Sequence, residues 1–322
     1  MSDLHLRPAT VAAGDAELTA DITTAMRPDE PVDQVLLRYL WEQPGEHEVE
    51  RRFIGEVDGR PAGFVTVQHR VWPPDDKVRA ARFNVGMTPD LMSPARTAQL
   101  IELALATVRE EGALVVECYA RDDEDWLKEA LLKAGLQPDH RSRIWELDLI
   151  ANRGRLLAIR RSTRKAMDRL GVRLQTLADC RLPDRLNRLH QLIEVARLDV
   201  PRSIPALPDP KELFLKWLRM PGVSEDRYWV AEFDGELVGV SYLRYPTLRG
   251  HVWTGFTASH PGQRGKGIAR AVKMETLAQA IENGVALVRT DNDERNAPML
   301  HINEDLGYHA IPAWVSHLRS LG

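Results

Sequence analysis

The sequence predicts a mixed α and β protein (α+β) built from two similar halves in tandem, and three observations carry that expectation. RRFIGEVDGRPAGFVTV (51–67) and YWVAEFDGELVGVSYL (228–243) each set two β-rich runs around an Asp-Gly pair, Asp58-Gly59 and Asp234-Gly235, the dipeptide of a tight hairpin turn. A helical pattern ends at Glu111-Gly112 before ALVVE, and another ends at Asn283-Gly284 before VALVRT, so each half has a helix stop feeding a buried strand. An acidic turn and a short helix follow each strand, closing at Gly135 and at Gly307, in both cases 23 residues beyond the helix-stop glycine.

The elements follow in order. WELDL closes the first half's last strand at Asp148, which divides the chain into residues 1–148 and 149–322. Arg153 to Arg173 carries eight Lys or Arg and one acid, Asp168. An amphipathic linker helix over about 153–170 accounts for them, with Leu156, Leu157, Ile159, Ala166 and Leu170 beneath a solvated basic face. LDVPRSIPALPDP (198–210) is too rich in proline for a regular element and reads as a loop, a lid or one wall of a cleft. A long helix then carries Ala271, Met274, Leu277, Ala278 and Ile281 at helical spacing until Gly284 stops it.

Composition excludes several function classes. With 322 residues, 43% hydrophobic, 28% charged and a net charge of -4, the chain has core enough for two domains and no overall basic field for nucleic acid. Cys118 and Cys180 lie far apart without metal-ligand spacing, so a reducing compartment and no metal site are expected. No apolar run approaches the roughly 18 residues of a membrane span, and MSDLHLRPATVAAGD lacks a cationic start followed by an apolar stretch. A cytoplasmic protein without a membrane partner is the expectation.

HPGQRGKGIA (260–269) is the segment with chemistry in it. A P-loop needs Gly-Lys-Ser/Thr after a four-residue gap, but Gly262 is followed at that distance by Gly267-Ile268; a dinucleotide loop needs glycine or alanine where Arg270 stands. A third pattern fits: Gln263, Arg264, Gly265, Lys266, Gly267, Ile268 and Ala269 join a strand to a long helix. Small residues let backbone amides converge on an anion, the helix start adds its positive dipole end, and two cations flank it. That makes a pyrophosphate cradle.

In this context the sequence resembles the GNAT acyltransferase superfamily. VWTGFTASHPGQRGKGIARAVK is similar to its fourth strand and pyrophosphate loop, TDNDERNAPMLHINEDLGY to its fifth strand and following helix, and the resemblance covers residues 174–322. The first half shares the order of elements but has MTPDLMSPARTAQL (87–100) in place of the glycine loop, and so looks like a degenerate copy without cofactor binding. The resemblance implies an α/β (α+β) fold of two tandem GNAT-like domains, each a mixed, mostly antiparallel central sheet flanked by helices.

It also implies transfer of an acetyl group from acetyl-CoA to an amine, here of a small molecule, in a monomer or homodimer. A non-catalytic acyl-CoA-binding or regulatory module and a protein lysine acetyltransferase are the alternatives. The family's cofactor arm bonds to fourth-strand backbone, which falls at Phe256, Thr257, Ala258 and Ser259, and to an asparagine that falls at Asn296. Asparagine also suits a helix N-cap, so Asn296 has two open roles. Asn303 shares the Asn296 face and occupies the place of the family's proton-donating tyrosine, where an amide is no useful acid; Tyr308 or a water then gives the proton, or the thiolate leaves unassisted. For the base, His251 is the titratable side chain of the fourth strand, with Asp291, Glu232 and Asp199 as further candidates. Expected cleft walls are the 198–210 loop, Trp253 and Trp314.

Overall fold

Two tight turns frame the halves. Asp58 and Gly59 have φ of 52° and 74°, Asp234 and Gly235 51° and 73°, the left-handed pair that matches the twist of adjoining strands. A computed structural model describes residues 4–322. The first half runs β1 (His5–Pro8), α1 (Asp15–Met26), α2 (Gln34–Glu42), β2 (Glu48–Val57), β3 (Arg60–Arg70), β4 (Ala80–Met87), α3 (Pro94–Glu110), β5 (Val115–Arg121), α4 (Asp125–Lys133) and β6 (Gln137–Asp148). The second runs α5 (Arg153–Arg169), β7 (Arg173–Thr176), α6 (Arg185–Arg197), α7 (Lys211–Leu218), β8 (Tyr228–Phe233), β9 (Glu236–Arg244), β10 (Val252–Ser259), α8 (Ile268–Glu282), β11 (Leu287–Asp293), α9 (Ala297–Leu306) and β12 (His309–Ser320).

The strands form one 12-stranded sheet in the order β1-β2-β3-β4-β5-β12-β6-β11-β10-β9-β8-β7. The last strand of each half lies against the other: β12 pairs with β5, and β6 pairs with β11 from Asp148↔Leu287 to Ser142↔Asp293. The sheets of the halves are therefore continuous through the β6–β12 pair. Among the described residues only β4–β5 and β10–β11 are parallel, and both pairs separate soon after they start. Strands β10 and β11 meet only at Val252↔Val288 and Trp253↔Arg289. Between Thr254 and Phe256 the register of β10 on β9 slips, at Gly255, where a Cβ would lie 2.0 Å from the Tyr242 ring. The missing side chain lets β10 bend there, opening the sheet between β10 and β11.

Helix α8 packs under β9 and β10 and is buried from Ala271 to Ala278, including Lys273 and Glu275. A carboxylate buried this fully needs cationic partners, and Glu275 has two. The basic face of α5 supplies the partners of Glu275: Arg164 contacts it at 2.6 Å and Arg160 at 2.9 Å, so part of that face is neutralised rather than solvated. The buried side of α5 is Leu156, Thr163 and Met167; Ala166 and Leu170, expected in the core, are exposed. We expect Glu275→Gln to lower unfolding free energy by about 2–3 kcal/mol. That is less than for a wholly buried pair, because Arg164 reaches solvent. Chemical denaturation checks it, and an unchanged midpoint would show that the pair adds nothing.

Candidate active site

The glycine loop is built as an anion cradle. Gly265 and Gly267 take φ of 76° and 78°, and a Cβ at either would meet no atom within 4 Å, so conformation rather than space selects glycine. Gly267 is the N-cap of α8 and brings no side-chain cap. Among the described residues, the amides of Gly265 to Arg270 find no acceptor. These donors stand at the positive end of a 15-residue helix. Ile268 anchors the helix start in the core at 1% exposure. Lys266 Nζ donates to Gln263 Oε1 at 2.6 Å, and Arg264 pairs with Asp199 at the end of α6, which brings the proline-rich loop up to the cradle. The equivalent turn of the first half is closed to an anion. Ser93 Oγ accepts from the Arg96 amide, and Pro94 has no amide to offer.

Beyond the cradle, one edge of β10 from Phe256 to Ser259 pairs with β9, and the other faces the opening left by β11. That opening leads into a cavity of about 1130 Å³ between the halves. Phe256, Thr257, Asn296 and Asp291 line it, as do Trp314 and the 200–205 part of the proline-rich loop; Trp253, expected in the wall, does not. Residues on β3, β4 and β5, among them Thr66, Asn84 and Tyr119, supply the opposite wall. Asn296 heads α9 without capping it through its side chain, which leaves the amide free toward the cavity.

Asp291 projects from β11 beyond the point where the strands part, and its Oδ2 accepts from Ser142 Oγ of β6 at 3.0 Å. The carboxyl opens onto the cavity's solvent yet is ringed by protein, and this desolvation holds it above the usual carboxylate range against the pull of Ser142, Arg244 and Lys273.

Four candidates lie elsewhere. His251 precedes β10 and contacts the Asp29 carbonyl through Nε2 at 2.8 Å, tying the halves together away from the cavity. Tyr308 is 5% exposed and sits in the core behind α8; burial pushes its phenol up, and it does not line the cavity. Asn303 is fully buried and does not line the cavity, so it is not placed to touch a cofactor. Its Oδ1 accepts from Lys273 Nζ at 2.6 Å, and its Nδ2 donates to Asn292 Oδ1 at 2.6 Å. Glu232 bonds to Gln175 at the sheet's far edge. Sequence reasoning missed Lys273, a wholly buried ammonium that lines the cavity floor. Its signal was a charge inside the otherwise apolar face of AVKMETLAQAI.

Residues 189–308 match the model of the Acetyltransferase (GNAT) family. Residues 189–308 are a GNAT acetyltransferase domain by this match. Among solved structures, a tandem GNAT protein from the clavulanic acid biosynthesis pathway shares 16% identity with a TM-score of 0.75, each chain covered to 99%. A GCN5-related N-acetyltransferase from Sphaerobacter thermophilus also shares 16% identity, with a TM-score of 0.69 over 98% of this chain and 95% of that one. A glucosamine N-acetyltransferase region of a fungal multi-domain GH3 β-N-acetylglucosaminidase has 13% identity and a TM-score of 0.71, covering 98% of this chain and 38% of that one. At these identities the likeness establishes the tandem GNAT fold. No curated protein sequence matches the chain significantly.

Proposed function

We propose that this GNAT protein is an acetyl-CoA-dependent N-acetyltransferase for a small-molecule amine, bound in the cavity between the halves. The observation that carries it is the succession, along one segment of chain, of an uncapped amide cradle, the unpaired edge of β10 and, at Phe256 and Thr257, a cavity holding a carboxylate. Acetyl-CoA, when bound, supplies an acetyl group activated as a thioester. Gly265 to Ala269 hold its pyrophosphate by backbone amides, β10 and Asn296 its arm, by the family resemblance. Asp291 Oδ accepts the proton that the attacking amine gives up, and Ser142 fixes the carboxylate's orientation. The first half lines one side of the cleft through β3, β4 and β5, which narrows the space left for an acceptor and favours a small amine.

The test is thiol release from acetyl-CoA against a panel of small amines and lysine peptides. Turnover with a small amine is expected; turnover confined to peptides, or none, overturns the reading. For the best amine, Asp291→Asn should lower kcat about 100-fold, the low end for a lost general base. The sign of the pH dependence follows. Asp291 works ionised, so activity rises as pH climbs through its elevated pKa, and this rising limb should vanish in Asp291→Asn. An unchanged profile would remove Asp291 from the chemistry.

A further inference from the structure

Lys273 is the group that the proposed function leaves unused. It sits on α8 with no exposed surface, yet lines the cavity floor with Thr254, Thr290, Asp291 and Asn292, where β10 and β11 part. A lysine buried without a carboxylate in contact is costly, and among the described residues none lies within ion-pair distance of Nζ. What surrounds it is a neutral framework. One hydrogen goes to Asn303 Oδ1 at 2.6 Å, and the ammonium lies 4.8 Å from the centre of the Tyr308 ring. Asn292 Oδ1 takes the Asn303 amide hydrogen, which fixes the Asn303 oxygen toward Lys273. Asn303 stands where the resemblance places the family's acidic tyrosine, so the amide that replaced the acid holds another proton carrier.

We propose that Lys273 Nζ donates the proton to the sulfur that leaves when the acyl group is transferred, while Asn303 and Asn292 position it. This rests on the acetyltransferase reading. The C–S bond breaks with its electron pair going to sulfur; Nζ–H gives sulfur a proton to form the thiol, leaving Lys273 neutral. The proton that Asp291 takes from the amine passes to solvent, from which Lys273 is reprotonated, so one proton is taken and one given per turnover. The surrounding charges agree with this role. Burial lowers the Lys273 pKa to about 7, partly offset by Asp291 on β11. Arg244 on β9 acts on Asp291, the Tyr308 phenol stays neutral, and Glu275 on the same helix is taken up by Arg160 and Arg164. The ammonium is thus a stronger acid than an ordinary thiol, whose pKa is about 8.5.

The test begins without turnover. With only eight lysines in the chain, Cε-labelled lysine NMR of the free protein should show one resonance titrating near neutrality and missing from Lys273→Met. Calorimetry should find acetyl-CoA affinity in Lys273→Met and Lys273→Gln within about threefold of wild type, while kcat falls about 100-fold and its alkaline limb disappears. An aryl thioester, whose thiolate leaves without a proton, should restore most of the Lys273→Met rate. A purely structural lysine would show no such dependence on the leaving group. Unchanged turnover, no aryl thioester rescue, a Lys273 resonance that titrates with the other lysines, loss of binding in both variants, or an acetyl mass on Lys273 each overturns the proposal. Failure of wild type to bind acetyl-CoA overturns the acetyltransferase reading first, and this with it.

Discussion

Replacing Gly265 and Gly267 together by glutamate is expected to weaken acetyl-CoA binding at least 100-fold. Two effects add. Both residues sit at φ near +77°, where a side chain costs about 1–2 kcal/mol per residue, so the substituted loop relaxes and the anion must pay to restore the cradle. That alone gives about 2–4 kcal/mol, roughly 30- to 1000-fold. The new carboxylates then face a pyrophosphate at the end of α8 and oppose its field. A Cβ at either position meets nothing, so the fold should survive and a thermal melt should barely move. Gly265→Ala with Gly267→Ala separates the effects, since it carries the strain without the charge. Calorimetry of acetyl-CoA on the three proteins decides; equal affinities would show that the cradle does not hold the cofactor.

The features visible in the sequence were those set by neighbouring residues. Asp58-Gly59, Asp234-Gly235 and the glycines after α3 and α8 dictate backbone angles where they stand, and the turns they make are local. The cradle is legible for the same reason, being seven contiguous residues. Its absence from the first half is also local, written as Ser93 capping and Pro94. Longer-range relations were hidden. Nothing in GHVWTGFTA says that its histidine ends on the Asp29 carbonyl, because the loop after α1 comes from the other half. Helical spacing put Asn303 with Asn296, but Asn303 turns toward α8 and only the packing of α8 shows what it holds. Asp291 was one acid among several until β6 set Ser142 beside it, at the site where β10 has turned away.

The exchange of last strands was the largest relation hidden from the sequence, and it makes a strong prediction: residues 149–322 alone should not form a stable folded monomer. In the intact chain β11 is paired along its length by β6, and β12 by β6 and β5, while β11 and β12 never touch as neighbours. Without residues 1–148, β11 keeps only its two residue pairs to β10, and β12 loses both partners. Ile144, Trp145 and Leu147, each no more than 3% exposed, are removed with β6. At about 1.5–3 kcal/mol per large apolar side chain this costs about 5–9 kcal/mol, the size of a whole domain's stability. The repeat offers one escape. Strand β12 is the second half's counterpart of β6, so β12 of another copy can take the vacant place beside β11. Any folded fraction of the fragment is therefore expected to sediment as a dimer, and adding residues 1–148 should convert it to a 1:1 complex. A cooperative melt from a fragment that sediments as a monomer would mean that the exchange is not needed for the fold.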